Sequence, residues 1–192
     1  MSPGLGGGSA PAAGKSGIGV ASAVASLLSP FCLRVQVVGG LRRGEADAPP
    51  ELMVLPKSDV VFGYPNTVVA GLAGLERQGL LRVVSTGDVV EVEVGGGVHV
   101  AIYVVGRVEA WWPTLVVRTG CEEFVRHFAF LASARGYSLD GGVLRRGREG
   151  RVVPVRSEYE VFEVCGVPWL NPNERGASTF REKLWAKVGR SE

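Results

Sequence analysis

Three stretches of this 192-residue chain carry side chains whose type and spacing could do chemistry. The first is Gly39-Gly40-Leu41-Arg42-Arg43-Gly44, which follows an apolar run ending at Val38. Small residues let a backbone approach a phosphate, and paired guanidinium groups beside those amides add charge and forked donors. The same residues also make an ordinary solvated turn, so Arg42 and Arg43 carry both readings. The second stretch is Arg145-Arg146-Gly147-Arg148 with Arg151, the densest basic cluster. It is either a solvated hairpin tip or a contact to a DNA backbone. The third is Trp111-Trp112-Pro113, whose rings could pack between two lobes or offer a platform for bases.

Other combinations fall short. Gly14-Lys15-Ser16 has the end of a phosphate-binding loop, but Gly8 lies one residue too far upstream and no strand precedes it. His99 and His127 have no ligand-spaced partner, and Cys32, Cys121 and Cys165 form neither a disulfide framework nor a zinc pattern. The three thiols read as buried groups in a reducing compartment. The net charge of +2 makes no global field toward nucleic acid, so DNA contact requires local clustering. Hydrophobic residues at 46% and charged residues at 21% describe a globular chain. No apolar run reaches the ~20 residues of a membrane helix, and no secretory signal begins the chain. A soluble, intracellular protein with no membrane partner is therefore expected.

The elements that must position these groups follow from periodicity. Residues 1–14, of Gly, Ala, Pro and Ser, read as a flexible tail. A helix is expected from Lys15 to Leu28, then a strand from Phe31 to Val38 with Leu33, Val35 and Val37 on one face. A polar loop runs to Pro50, and Leu52–Leu55 is a short strand. Pro65–Leu81 is helical by spacing. Leu81–Val84, Val89–Val94 and Val98–Val105 form a meander, and Leu115–Arg118 reads as a further strand. Cys121–Arg135 is a helix, Val143 to Val155 a hairpin around the basic turn, Ser157–Val164 a short helix, and Ser178–Val188 a last amphipathic segment. The fold class is α+β: an antiparallel-rich sheet with helices packed on it, then a smaller lobe.

Four ordered segments resemble motifs of family X DNA polymerases, the polymerase beta-like nucleotidyltransferases. Val38 to Gly44 is similar to that family's Gly-Ser-x-Arg-Arg-Gly turn. Thr119-Gly120-Cys121, followed by Arg135-Gly136-Tyr137-Ser138-Leu139-Asp140, resembles its Thr-Gly-Ser helix start and downstream Gly-x-x-Leu-Asn turn. Ser157-Glu158-Tyr159-Glu160-Val161-Phe162 resembles its closing helix, and Val167 to Arg175 its aromatic-x-x-Pro-x-x-Arg ending. The resemblance implies a nucleotidyltransferase-type palm over residues 15–115, a small α/β C-terminal lobe over 116–176, and a helical extension over 177–192. It also implies the compact layout of viral members, without the N-terminal lyase domain; Gly17-Ile18-Gly19 echoes only half of a helix-hairpin-helix.

The family transfers nucleotides with two divalent cations, Mg2+ or Mn2+, held by an Asp-x-Asp pair and a third Asp on a neighbouring strand. Aligned without a gap, the pair falls on Pro50 and Leu52; with one inserted residue, the preferred register, it falls on Glu51 and Met53. The third position falls on Ala101, and no carboxylate lies between Val94 and Val108. Glu51 is the surviving candidate carboxylate, and no metal or cofactor is expected unless the enzyme reading holds. Gly40 stands where the family has a serine, Val117-Arg118 where it has an aromatic pair, and Val125 where it has an Asn. Gly39, Gly40, Arg43, Thr119 and Gly120 are the positions for residual nucleotide or phosphate contact, with Thr119-Gly120 also readable as a turn and helix cap. Arg42, Arg145, Arg146, Arg148 and Arg151 are those for DNA. The expectation is a catalytically inactive accessory that binds DNA or a protein, in DNA repair or replication. The alternatives are a divergent active polymerase and a purely structural subunit.

Overall fold

The computed structural model describes residues 16–59, 63–87 and 89–188; the expected tail at 1–14 lies outside the described residues. Helix α1 (Gly17–Leu28) starts at Ser16, whose hydroxyl accepts from the Gly19 amide. Its Val20, Ala21, Val24 and Leu28 recur at helical spacing and are buried. Helix α3 (Thr67–Arg77) begins with the Asn66 side chain accepting from Val69 N at 3.0 Å and ends at Gly79, whose φ is 70°.

Between and after these helices run β1 (Cys32–Val37), β2 (Glu51–Pro56), β3 (Arg82–Thr86), β4 (Val89–Val94) and β5 (Val98–Val104). They form one mixed sheet in the order β1-β2-β5-β4-β3. The β2–β5 pair is parallel and the other three are antiparallel. Side chains alternate across the sheet. Leu52, Val54, Val90, Val92, Val100 and Ile102 face α1 and α3 and build the first core. Glu51, Met53 and Leu55 of β2, and Ala101 and Tyr103 of β5, point to the opposite face. That face is met by the second lobe.

The second lobe holds α4 (Trp111–Thr119), α5 (Glu122–Ala134), β6 (Tyr137–Ser138), β7 (Arg145–Arg146), β8 (Arg151–Val152), α6 (Glu158–Cys165) and α7 (Phe180–Val188). Strands β6, β7 and β8 make a small antiparallel sheet. Phe124, Phe128, Phe162 and Phe180 are its central rings, with Phe128 and Phe162 edge-to-face at 4.9 Å between centroids. Burying one such ring stabilises by about 1.5–3 kcal/mol. A third cluster joins the lobes: Val38, Met53 and Leu55 of the sheet lobe pack with Ala110, Trp111, Leu115 and Val143.

Two sequence expectations are corrected. Leu115–Arg118 lies in helix α4, not in a strand. The β-branched run Val116-Val117 favours a strand locally, but Trp111, Leu115, Val116 and Thr119 are buried at helical spacing. Pro113 falls in the first turn, where its missing N–H leaves no helical bond unmade. Leu33, expected on one face of β1 with Val35 and Val37, is 58% exposed while those two are partly buried, because the ladder slips between Cys32 and Arg34. The cysteines are free; Cys32 and Cys165 are buried and Cys121 partly so. Burial pushes the Cys32 and Cys165 thiols up to about 11.

Candidate functional site at the junction of the lobes

The Gly-Gly-Leu-Arg-Arg segment is a five-residue helix, α2 (Gly39–Arg43), rather than an open turn. Gly39 begins it with φ 65°, and Gly44 ends it left-handed at φ 89°. Both starting glycines are tightly enclosed. A Cβ on Gly39 would lie 1.7 Å from Glu51 Oε2, and one on Gly40 would lie 2.4 Å from the Ala48 side chain. The Glu51 carboxylate therefore rests against the start of α2, the place where a phosphate approaching these glycines would sit.

Both arginines of α2 point into the second lobe. Arg42 donates both NH groups to the Glu158 carboxylate at 2.8 Å, and its Nη1 also reaches Thr119 Oγ1. Arg43 donates to the Thr119 carbonyl at 2.8 Å and to both oxygens of Glu45 at 2.7 and 2.8 Å. Arg42 thus departs from the expected solvent-facing phosphate or DNA contact: its side chain is 17% exposed and its fork is filled by Glu158. Arg43 holds Glu45 below the ordinary carboxylate range through that forked bond, against the opposing effect of burial.

Glu158 opens α6, where Ser157 caps the helix by accepting from Glu160 N at 3.0 Å. It also accepts from Arg175, at 2.5 Å. Arg175 is fully buried; Nε and Nη2 donate to the Leu170 carbonyl, and the guanidinium lies over the Phe162 and Trp169 rings at 4.8 and 4.9 Å. Burial alone would raise the Glu158 carboxyl, but Arg42 and Arg175 outweigh it and hold the group below its ordinary value. Motif spacing places Glu158 and Arg175 in family-like segments but gives neither a partner. The signal available for Glu158 was a carboxylate directly after a capping serine.

Thr119 is the last residue of α4 and is buried. The cap of α5 is not Thr119 but Cys121, whose sulfur accepts from Phe124 N at 3.4 Å. Gly120 between them allows ring contact, since a Cβ there would lie 2.1 Å from Phe124. Gly39, Gly40, Arg42, Arg43, Thr119 and Gly120 therefore converge, and Glu158 and Arg175 complete the cluster.

On the sheet, Glu51 is paired across the ladder with Ala101, and Met53 with Tyr103. Leu52 points away into the first core, so the cleft face carries Glu51 and Met53. Met53 is fully buried among the apolar side chains joining the lobes. Tyr103 donates to Glu51 Oε1 at 3.1 Å, and Arg118 lies 3.9 Å over its ring. Burial first, and then the Glu51 carboxylate, push the Tyr103 hydroxyl above its ordinary value, keeping it a donor. The space left open beside this stack is a cavity of about 290 Å³ touching Tyr103, Arg107, Thr114 and Arg118. One carboxylate escaped the sequence reading: Glu91 of β4 is paired with Ala101 from the other side. Glu51, Ala101 and Glu91 thus form a row across three strands, a relation only the register reveals.

The basic hairpin stands apart from this junction. Arg145 ties the turn by donating to the Gly150 carbonyl at 2.9 Å, and Arg146 lies 5.4 Å over the Tyr137 ring. Arg146, Arg148 and Arg151, with Glu149, line an open hollow of about 430 Å³. Trp111 and Trp112 face Arg34, whose guanidinium lies 5.6 and 5.0 Å from their rings; Trp111 is buried in the inter-lobe cluster. Among the described residues no helix is long and apolar enough to cross a membrane. Residues 114–176, from within α4 through Gly176, match the family model of the DNA polymerase beta thumb. The match covers this lobe, which Arg175 anchors, and supports a likeness to family X polymerases there.

Proposed function

We propose that this chain is a polymerase-X-like accessory that has lost metal-dependent nucleotidyl transfer and binds DNA or a protein partner. The observation that carries this reading is the filled cleft. The position of the second metal-binding carboxylate is a buried thioether, Met53, and that of the third is the methyl of Ala101. Glu51, the carboxylate at the first of the three positions, is engaged by Tyr103 under Arg118. Two hard cations need several oxygen ligands in near-octahedral array, and this donor set does not fit them. The arginines of α2 are likewise spent inside the protein, on Glu158, Glu45 and Thr119. The hairpin hollow lined by Arg146, Arg148 and Arg151 supports a DNA-backbone contact, since exposed forked donors suit phosphate oxygens.

The test is nucleotide incorporation on gapped DNA with Mg2+ or Mn2+. The expected result is no extension above a no-protein control, and binding of the same DNA that weakens with salt. Robust extension abolished by Glu51→Ala would overturn the reading. A divergent nucleotidyltransferase has one observation in its favour, the placement of Glu91 beside Ala101. Under that reading Glu91→Ala and Glu51→Ala would each abolish extension.

A further inference from the structure

Helix α7 lies beyond the segment that matches the thumb, and it builds a surface on α5. Phe180 and Leu184 bury α7 against the lobe, while Trp185 on the same helix is 66% exposed. Between α5, the Gly166–Pro168 turn and α7 lies a cavity of about 470 Å³. Leu131, Pro168 and Leu184 give it apolar walls, and Phe130, 71% exposed, stands beside it. Its charged lining is Arg126 and Arg135, with no carboxylate among the described residues that line it. Arg126 has one weak partner, Glu122 at 3.7 Å, and both are well exposed, so the pair is screened and holds the guanidinium loosely. Arg135 runs along Gly166, where a Cβ would meet its Nε at 2.4 Å.

We propose that this groove docks an acidic segment of a partner protein. The segment inserts one large apolar side chain between Phe130 and Trp185 and pairs its carboxylates with Arg126 and Arg135. Charge selects the class: an apolar hollow whose only formal charges among the described residues are two arginines complements an acidic, apolar-anchored ligand. Span selects a polypeptide over a compact anion. Arg126 and Arg135 sit at the two ends of nine helical steps, about 13 Å. An extended segment of roughly four residues covers that backbone distance and can offer each arginine its own carboxylate. Exposed aromatic anchors flanked by arginine are the residue types that dominate binding energy at protein interfaces. The site names the partner class for the protein-binding half of the function proposed above, and it stands whether or not the cleft transfers nucleotides.

The probe is a fluorescein-labelled peptide of Asp and Glu around a central Phe-Leu pair, titrated against the full chain by anisotropy. Controls replace its acidic residues with Lys, or its Phe-Leu pair with Ser. The acidic peptide should bind about tenfold or more tightly than either control. Arg126→Glu with Arg135→Glu should reverse the preference in favour of the Lys peptide, and Phe130→Ala with Trp185→Ala should weaken the acidic peptide about tenfold. The substituted side chains are exposed, so the fold is retained. Equal binding of acidic and Lys peptides, or no response to charge reversal, overturns the proposal. So does self-association of the wild-type chain in sedimentation that Phe130→Ala with Trp185→Ala abolishes, which would make the groove a contact between copies.

Discussion

Glu158→Gln tests the lobe junction most directly, because it keeps the shape of the side chain and removes its charge. Glu158 answers two guanidinium groups that differ in exposure: Arg42 at 17% and Arg175 at 0%. Arg42 can recover hydration at the edge of the cluster; Arg175 cannot. Leaving a buried charge without its partner costs about 3–5 kcal/mol. For a chain of this size, with roughly 2–4 °C of Tm per kcal/mol, Tm should fall by roughly 6–20 °C. Arg42→Ala leaves the Glu158–Arg175 pair intact and removes charged hydrogen bonds at a partly solvated position, so about 1–3 kcal/mol is expected. The double mutant should show a coupling of about 0.5–3 kcal/mol. The pH dependence has a defined sign. The carboxyl of Glu158 is held below its ordinary value in the folded protein, so its contribution is fully present above the unfolded value of about 4.3 and is lost as pH falls through the lower folded value. Wild type and Glu158→Gln should therefore converge in stability below that window. Urea unfolding followed from strong acid to neutral pH measures this. Equal costs for Glu158→Gln and Arg42→Ala, or a gap between wild type and Glu158→Gln that persists unchanged into strong acid, would refute the assignment of Arg175 as the charge that depends on Glu158.

Three further outcomes follow from the geometry. Gly39→Ala puts a side chain at φ 65° and 1.7 Å from Glu51 Oε2, so it should cost about 1–3 kcal/mol by urea unfolding, with part restored by Glu51→Ala; no loss would contradict the enclosed α2 start. Ala101→Asp sets a carboxylate between Glu51 and Glu91, and combined with Met53→Asp it should create Mn2+ binding detectable by electron paramagnetic resonance. Absence of binding in a folded variant would count against these as the metal positions. Arg148→Ala and Arg151→Ala should each lower the slope of log affinity against log salt for DNA by about 1, uniformly across sequences; unchanged slopes would remove the hairpin from the DNA contact.

Local spacing was enough to read most helices. The edges of α1, α3, α5, α6 and α7 fall within a few residues of where capping groups and apolar periodicity put them, because both signals lie within one or two turns of chain. The three family-like segments between Thr119 and Arg175 were legible for the same reason. Helix α4 was not, since Val116-Val117 has strand propensity and only packing against Met53 and Val143 makes the helical stripe pay. Nor was the fate of Arg42. A Gly-Gly-Leu-Arg-Arg run says that a guanidinium stands near a tight turn, but its partner Glu158 lies 116 positions away. Likewise, the missing carboxylates could be counted along the chain, whereas the row Glu51, Ala101, Glu91 exists only after β2, β5 and β4 pair in one register. The sequence by itself determined which groups were present and which were missing. Tertiary structure decided which of them meet, because burial and charge act over a few ångströms of space and are indifferent to distance along the chain.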